Sequence, residues 1–398
     1  MRIVEVLHNR VLQFVPSLHE TRAVSLAAAV GALAGGASLS VTALGRRLES
    51  PAFTKHNIKR MDRLLSNPHL HRERLEVYRT LCHTLCRHLD HPIILVDWSD
   101  IVEQNRVLVI RAALATDGRA IPLFEAVYPL KAYNSPATHR RFLDELKTLL
   151  PAHCRPIVIT DAGFRGPWFK AVEALGWFWL GRIRNMIKYR LKSRRQWRAS
   201  TDLYYRATSK PVCLGPAELS HKHPYACYLH LYKKRSQHRH VHRSVRHLGK
   251  HTGTAVFLKQ QRDPWLVATN LPPEQFSSER IVALYGKRMQ IEACFRDLKS
   301  DQFGFGLSVS RSRNIERLNI LLLIAALTTL CLWWIGLLAR ECGWHRQFQA
   351  NTVVDRHVLS VVFLGLAVLQ RFSDNLSAIE LARAHRSLLE LLARTHEL

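Results

Sequence analysis

The sequence predicts a mixed α/β fold flanked by helical regions. Three observations predict it. Residues 92–183 alternate apolar strands and helices in the order β-β-β-α-β-α-β, with turn residues such as Asp117-Gly118 between them. Residues 1–90 carry helical periodicity throughout. Residues 320–338, ILLLIAALTTLCLWWIGLL, are uncharged from end to end, as a helix buried inside a large domain is.

Composition sets the class of partner. Of 398 residues, 47% are hydrophobic, which supplies a large core and excludes a disordered chain. The formal net charge of +27 favours a polyanion. Residues 320–338 are also long enough to span a bilayer, so a single-span membrane protein is an alternative reading. Arg317 and Arg340 flank that run within a strongly basic chain, and the expectation is a buried helix and no membrane. The amphipathic start, MRIVEVLHNRVLQF, has no long apolar run with a cleavage site. The eight Cys form no zinc set, because nothing completes the pair Cys82 and Cys86, and they read as reduced thiols of a cytoplasmic protein.

The elements follow in order. Residues 1–14 and 22–33 are expected helices, and Gly35-Gly36 breaks the chain. SLSVTALGRRLES and TKHNIKRMDRLLSN then form a short helix pair resembling a helix-turn-helix. In it, Lys55, His56, Lys59, Arg60 and Arg63 would face DNA. A helix over 69–89 closes this region, expected as a DNA-end-binding part over residues 1–90. Strands over 92–98, 106–114 and 120–128 form a meander, followed by a helix at 136–150, a strand at 156–161, a helix at 164–175 and a strand at 177–183. Between Arg182 and Arg262 the only acids are Asp202 and Glu218, and the cation-rich segments LKSRRQWR and KKRSQHRHVHRSVRH suit phosphates. The His residues from His238 to His247 are interleaved with Arg and Lys, which argues against a metal site. Helices over 349–370 and 377–397 are expected as an interaction region.

The chemistry lies in three places. Asp97 and Asp161 each end an apolar run that reads as a buried strand. Residues 281–301, IVALYGKRMQIEACFRDLKSD, read as one helix. At about 100° per residue, Tyr285, Arg288, Glu292 and Lys299 fall within about 60° of one another on it, beside an apolar stripe of Leu284, Ile291, Phe295 and Leu298. A surface salt-bridge row is the alternative for that polar stripe, and a helix cap the alternative for Asp161. If the two strands are neighbours, their carboxylates meet at one sheet edge and Glu292 closes the site. Three carboxylates without His or Cys suit hard cations, Mg²⁺ or Mn²⁺, which activate water and stabilise in-line displacement at phosphorus.

Asp97 in LVDWSD, Asp161 in VITDAGF and the spacing Tyr285-x2-Arg288-x3-Glu292-x6-Lys299 resemble the DDE transposases, and within them the insertion-sequence-four family. That resemblance implies a ribonuclease-H-like core, in two parts over 91–185 and 266–345. It implies a basic β-rich insertion over 186–265 and a helical C-terminal region over 346–398 that pairs two subunits. It also implies Asp97, Asp161 and Glu292 as catalytic metal ligands for two ions, and Tyr285, Arg288 and Lys299 as DNA contacts. Trp265 would stack an extruded base and Met289 would fill the space the base leaves. The expected partners are double-stranded DNA, as terminal repeats and target, and a second copy of the chain. Without the resemblance, the residues reach only a basic, metal-dependent nucleic-acid enzyme. A nuclease without strand transfer and a non-catalytic DNA-binding regulator remain the other readings.

Overall fold

A computed structural model describes residues 5, 7–8, 11–102, 107–184, 186–234, 263–302, 304–371 and 377–398. Half of the expected helix over 1–14 and the His-rich run from His238 to His247 lie outside these residues. The chain divides into two compact units, Met1–Ile157 with Arg288–Leu398, and Val158–Lys287.

The first unit is built around one helix. Its helices before the sheet are α1 (Glu20–Ala34), α2 (Val41–Arg47), α3 (Thr54–Leu65) and α4 (Pro68–Cys86). Strands β1 (Ile93–Val102), β2 (Val107–Leu114) and β3 (Ile121–Pro129) form the expected antiparallel meander. Helix α5 (Pro136–Leu149) follows, and β4 (Ile157–Thr160) opens with Ile157, whose N–H donates to the Pro92 carbonyl at 3.0 Å.

The expected buried helix is α9 (Ile315–Glu341), covered along nearly its whole length by protein. It packs on β3, α1, α3 and α4, and on α10 (Val361–Arg371) and α11 (Ala378–His396). Its buried amide and hydroxyl side chains are hydrogen-bonded, whereas the indole N–H groups of Trp333 and Trp334 are buried without a partner among the described residues. Asn319 Oδ1 accepts from Val127 N of β3 at 3.1 Å, and the Thr328 and Thr329 hydroxyls bond carbonyls one turn back at 2.8 Å. Two glycines allow α9 and α10 to touch backbone to backbone. A Cβ on Gly336 would come 2.0 Å from the Val361 carbonyl oxygen, and one on Gly365 would come 2.2 Å from that of Leu332. The expected helix over 349–370 begins only at Val361. Before it, the Gln349 side chain donates to the Val353 and Arg356 carbonyls, so this stretch folds as a loop around that amide.

The C-terminal helix reaches the first strand. His396 is buried; its Nδ1 accepts from Ile93 N and its Nε2 donates to Ala115 O, both at 2.9 Å. The imidazole thus closes the end of the β1–β2 ladder.

In the second unit the strand order is β4-β5-β10-β9-β8-β6-β7. It comprises α6 (Gly166–Ala174), β5 (Phe178–Ile183), β6 (Lys188–Leu191), β7 (Arg198–Ala199), β8 (Val212–Leu219), β9 (Tyr225–Tyr232), β10 (Trp265–Thr269) and α7 (Ser278–Gly286). The described strands of segment 186–265 therefore extend the sheet that β5 and β10 begin. Gly181 lets the Phe169 ring, which stacks on Trp179 at 4.3 Å, lie flat on β5.

Residues 281–301 are two helices, not one: α7 ends at Gly286 and α8 runs Met289–Lys299. Lys287 N bonds Leu284 O and Ile291 N bonds Arg288 O, three-residue closures that interrupt the α ladder. Gly286, the poorest helix former after proline, precedes the break. The break also falls at the sequence boundary between the units.

Replacing His396 by Ala would leave Ile93 N–H and Ala115 C=O buried without their partner. The expected loss is about 1–3 kcal/mol of unfolding free energy, read from urea denaturation. A change below about 0.5 kcal/mol would show that the imidazole does not close the ladder.

Candidate active site

In the first unit the site is a pair of carboxylates on one guanidinium. Asp97 lies mid-strand in β1, not at a strand tip as expected, because pairing continues through Ser99 and Asp100 to Val102. Its Oδ1 accepts from Trp98 N at 2.8 Å. Its Oδ2 lies 3.7 Å from Arg288 Nη1, and Arg288 Nη2 donates to Glu292 Oε1 at 2.5 Å. Arg288 immediately precedes α8, and Glu292 follows one turn later. The Glu292 side chain is 45% exposed, against 15% for Arg288 and 17% for Asp97. Two anions shared by one cation leave a net negative charge beside open solvent, so the pair favours further positive charge. Lys299 ends α8 half-buried.

Behind Asp97, on the other face of β1, Trp98 packs edge-on against Tyr128 and Tyr133. Its Nε1–H donates to His139 Nε2 at 3.2 Å, so this nitrogen is unprotonated. Burial pushes His139 down to about 4.

In the second unit Asp161 follows β4, at a strand tip as expected. It does not cap α6, which starts after Arg165. Its Oδ1 instead accepts from Gly163 N at 2.8 Å, a local turn that leaves Oδ2 for other partners. A Cβ on residue 163 would sit 3.0 Å from that Oδ1, so glycine keeps the carboxylate accessible.

Trp265 opens β10, half-buried, with its ring edge-on to Tyr232 at 5.8 Å and to Tyr285 at 5.0 Å. Tyr285 is only 3% exposed, so it does not stand in an exposed row; the broken helix ends the geometry on which that row depended. Arg182 of β5 donates through Nη2 to the Asp263 and Pro264 carbonyls at 3.0 and 3.2 Å, fixing the approach to Trp265. The sequence signal for Arg182 was a cation inside the apolar strand FWLGRI. Met289, next to Arg288, is 52% exposed, with Arg288 Nη2 3.4 Å from its sulfur.

On α3, Lys55, His56, Lys59 and Arg63 are exposed. Arg60 is not part of that face: its guanidinium turns back to the Ser25 hydroxyl of α1 at 3.2–3.3 Å. Gly45 of α2 lets the two short helices cross closely, since a Cβ there would come 2.5 Å from Ile58 Cα.

Within each unit, the described residues gather no three His, Cys, Asp or Glu side chains able to hold a metal ion together. The donors that Asp97, Glu292 and Asp161 offer are oxygens only, which fits a hard divalent cation.

A family profile described as Transposase DDE domain matches residues 88–329, more than half of the chain. No curated protein matches the chain.

Two buried imidazoles set an acid limit. His139, and His230 of β9 bonded through Nδ1 to the Ser278 hydroxyl at 3.0 Å, are each pushed down to about 4 by burial. The unfolded chain binds these protons below about pH 6.5. Stability is therefore full above that pH and falls as pH drops towards 4, by up to about 1.4 kcal/mol per pH unit for each imidazole. The gap between urea midpoints at pH 7 and pH 5 should narrow in His139→Gln and in His230→Gln. An unchanged pH dependence in both would count against buried neutral histidines.

Proposed function

Because the chain belongs to the Transposase DDE domain family, we propose that it is a cut-and-paste transposase of the insertion-sequence-four group, near the transposon-ten transposase, with a ribonuclease-H-like core. The observation that carries the reading is the pairing of Asp97 and Glu292 through Arg288 inside the matched segment. The family is one of DNA-acting endonucleases that use divalent metal.

In this reading Asp97, Asp161 and Glu292 hold two Mg²⁺ or Mn²⁺ ions when DNA is bound. The ions would supply a low-pKa water and charge stabilisation at phosphorus. The chain's own residues do the rest. Arg288 exchanges a carboxylate for a phosphate, which its planar fork grips with two donors, and Lys299 adds a point charge. Lys55, Lys59 and their neighbours on α3 hold the terminal repeat. Water attacks the first strand and frees a 3′-OH. That hydroxyl attacks the opposite strand and closes a hairpin. A second water opens the hairpin, and the 3′-OH then attacks target DNA. A hairpin forces a terminal base out of the stack. Trp265, half-exposed and braced by two tyrosines, offers that base a face, and exposed Met289 occupies the space it leaves. Both transposon ends are held by a homodimer whose pairing involves the C-terminal helices. The protein is cytoplasmic and works at the nucleoid of a bacterial cell.

The deciding experiment incubates purified protein with Mg²⁺, terminal-repeat DNA and a target plasmid. Joined products are expected. Cleavage without joining would favour a nuclease, and binding without cleavage a regulator. Alanine at Asp97, Asp161 or Glu292 should abolish nicking and leave end binding within about twofold, the residual binding being phosphate electrostatics. Full-rate cutting by Glu292→Ala would overturn the assignment.

Trp265→Ala should separate the steps, leaving first-strand nicking nearly intact while hairpin yield falls by about tenfold, in line with a lost stacking contact of roughly 1–3 kcal/mol. If nicking falls equally, the indole serves the fold.

A further inference from the structure

Between the meander and α8 lies a buried ion pair. Arg111 of β2 and Glu125 of β3 are register partners, 1% and 0% exposed, with Nη2 2.6 Å and Nε 2.8 Å from one carboxylate oxygen. Asp97 of β1 is the register partner of Arg111 on its other flank. The three side chains therefore form one lateral row on the face of the sheet. Arg111 also reaches the helix above. Its Nη1 donates to Cys294 Sγ at 3.1 Å, and its guanidinium carbon lies 4.4 Å from the centre of the Phe295 ring. Cys294 and Phe295 form the middle of α8, within one turn of Glu292.

The same hairpin holds the ends of that helix. Gln290 exchanges two hydrogen bonds with the Thr116 backbone, at 2.9 and 2.7 Å, and Asp297 accepts from Arg119 Nε at 2.8 Å. Between these ends, Ile291 and Leu298 give apolar contact, which is non-directional. Apolar contact alone lets a short helix roll. With side-chain tips roughly 5–6 Å from the axis, a roll of about 20° moves a tip by about 2 Å. A displacement of about 1 Å is enough to cost a reaction about a hundredfold.

We propose that Arg111 is a positioning residue for the carboxylate pair: its guanidinium fixes the roll of α8 on the sheet and so sets the distance of Glu292 from Asp97. The inference rests on the reading of those two carboxylates as catalytic. A buried ion pair is a poor way to gain stability, since apolar residues of similar volume do as well or better. A planar fork is, however, suited to touching a carboxylate on one side and a helix on the other at a fixed angle, which a lysine is not.

Two variants test it. Arg111→Lys keeps a cation beside Glu125 but loses the two-sided fork. The double variant R111M/E125L removes both charges of the pair. Each is examined as the full chain, by amide hydrogen exchange of the free protein and by single-turnover nicking at saturating terminal-repeat DNA. Amides of 289–299 should exchange about tenfold faster while those of β1–β3 keep their protection. Nicking should slow at least tenfold, with end-binding affinity within about twofold, a size set by misplacement rather than lost binding. Unchanged exchange in α8 overturns the proposal, as does wild-type nicking in a variant whose α8 has loosened. If neither variant folds, Arg111 is an element of the core and the proposal falls. The exchange result stands even if the wild-type protein nicks no DNA, an outcome that would sink the transposase reading alone.

Discussion

A 27-residue helix with apolar side chains on every side is stable in water only if every side is covered, and the first unit is organised to cover α9. The meander takes one flank through β3, the N-terminal helices another, and α10 and α11 the rest. Each covering element then carries something to a fixed place. The meander brings Asp97, and α3 brings an exposed row of cations tied down by Arg317 of α9, which donates to Asp62 at 2.7 Å. The single-span alternative fails on the same ground, because that surface is already occupied by protein.

Electrostatics adds a second constraint. In a chain with a net charge of +27, carboxylates are scarce, and the site concentrates them. Cations answer at three depths. Arg111 is wholly buried on Glu125, Arg288 is mostly covered between Asp97 and Glu292, and the lysines of α3 stand in water. In the proposed reaction it is the middle one that trades a carboxylate for a phosphate. Burial makes the innermost pair costly to break, while the outer charges are cheap to redirect.

Periodicity made most elements legible, because α9, the meander and the two acids following apolar runs depend on local pattern. What it could not show depends on partners far along the chain. The row from Tyr285 to Lys299 assumed one unbroken helix, and the interruption after Gly286 took Tyr285 into the second unit, against Trp265. Asp97 read as a strand end because the apolar run stops there, yet Trp98, Ser99 and Asp100 go on pairing with β2. Arg60 belongs to the same expected face as the exposed cations of α3, but Ser25 claims it. Arg111 and Glu125 could not be matched from sequence, since a charge in a strand finds its partner only when the register places the opposite charge beside it. The carboxylate roles came from spacing that resembles a known family, which periodicity alone does not supply.

The closure of β1 by His396 has a consequence for the order of events during synthesis. The bond joins residues 303 positions apart. The meander is local and can pair as soon as it leaves the ribosome. The Ile93 amide must wait for the rest, on the order of 15–60 s at ordinary translation speeds. For that time the strand bearing Asp97 has a ragged end, and from its own synthesis until the chain ends α9 lacks two of its covering helices. A nascent chain is therefore at its most adhesive when nearly complete, and its yield in a cell should depend on chaperone capacity more than on the stability of the finished fold.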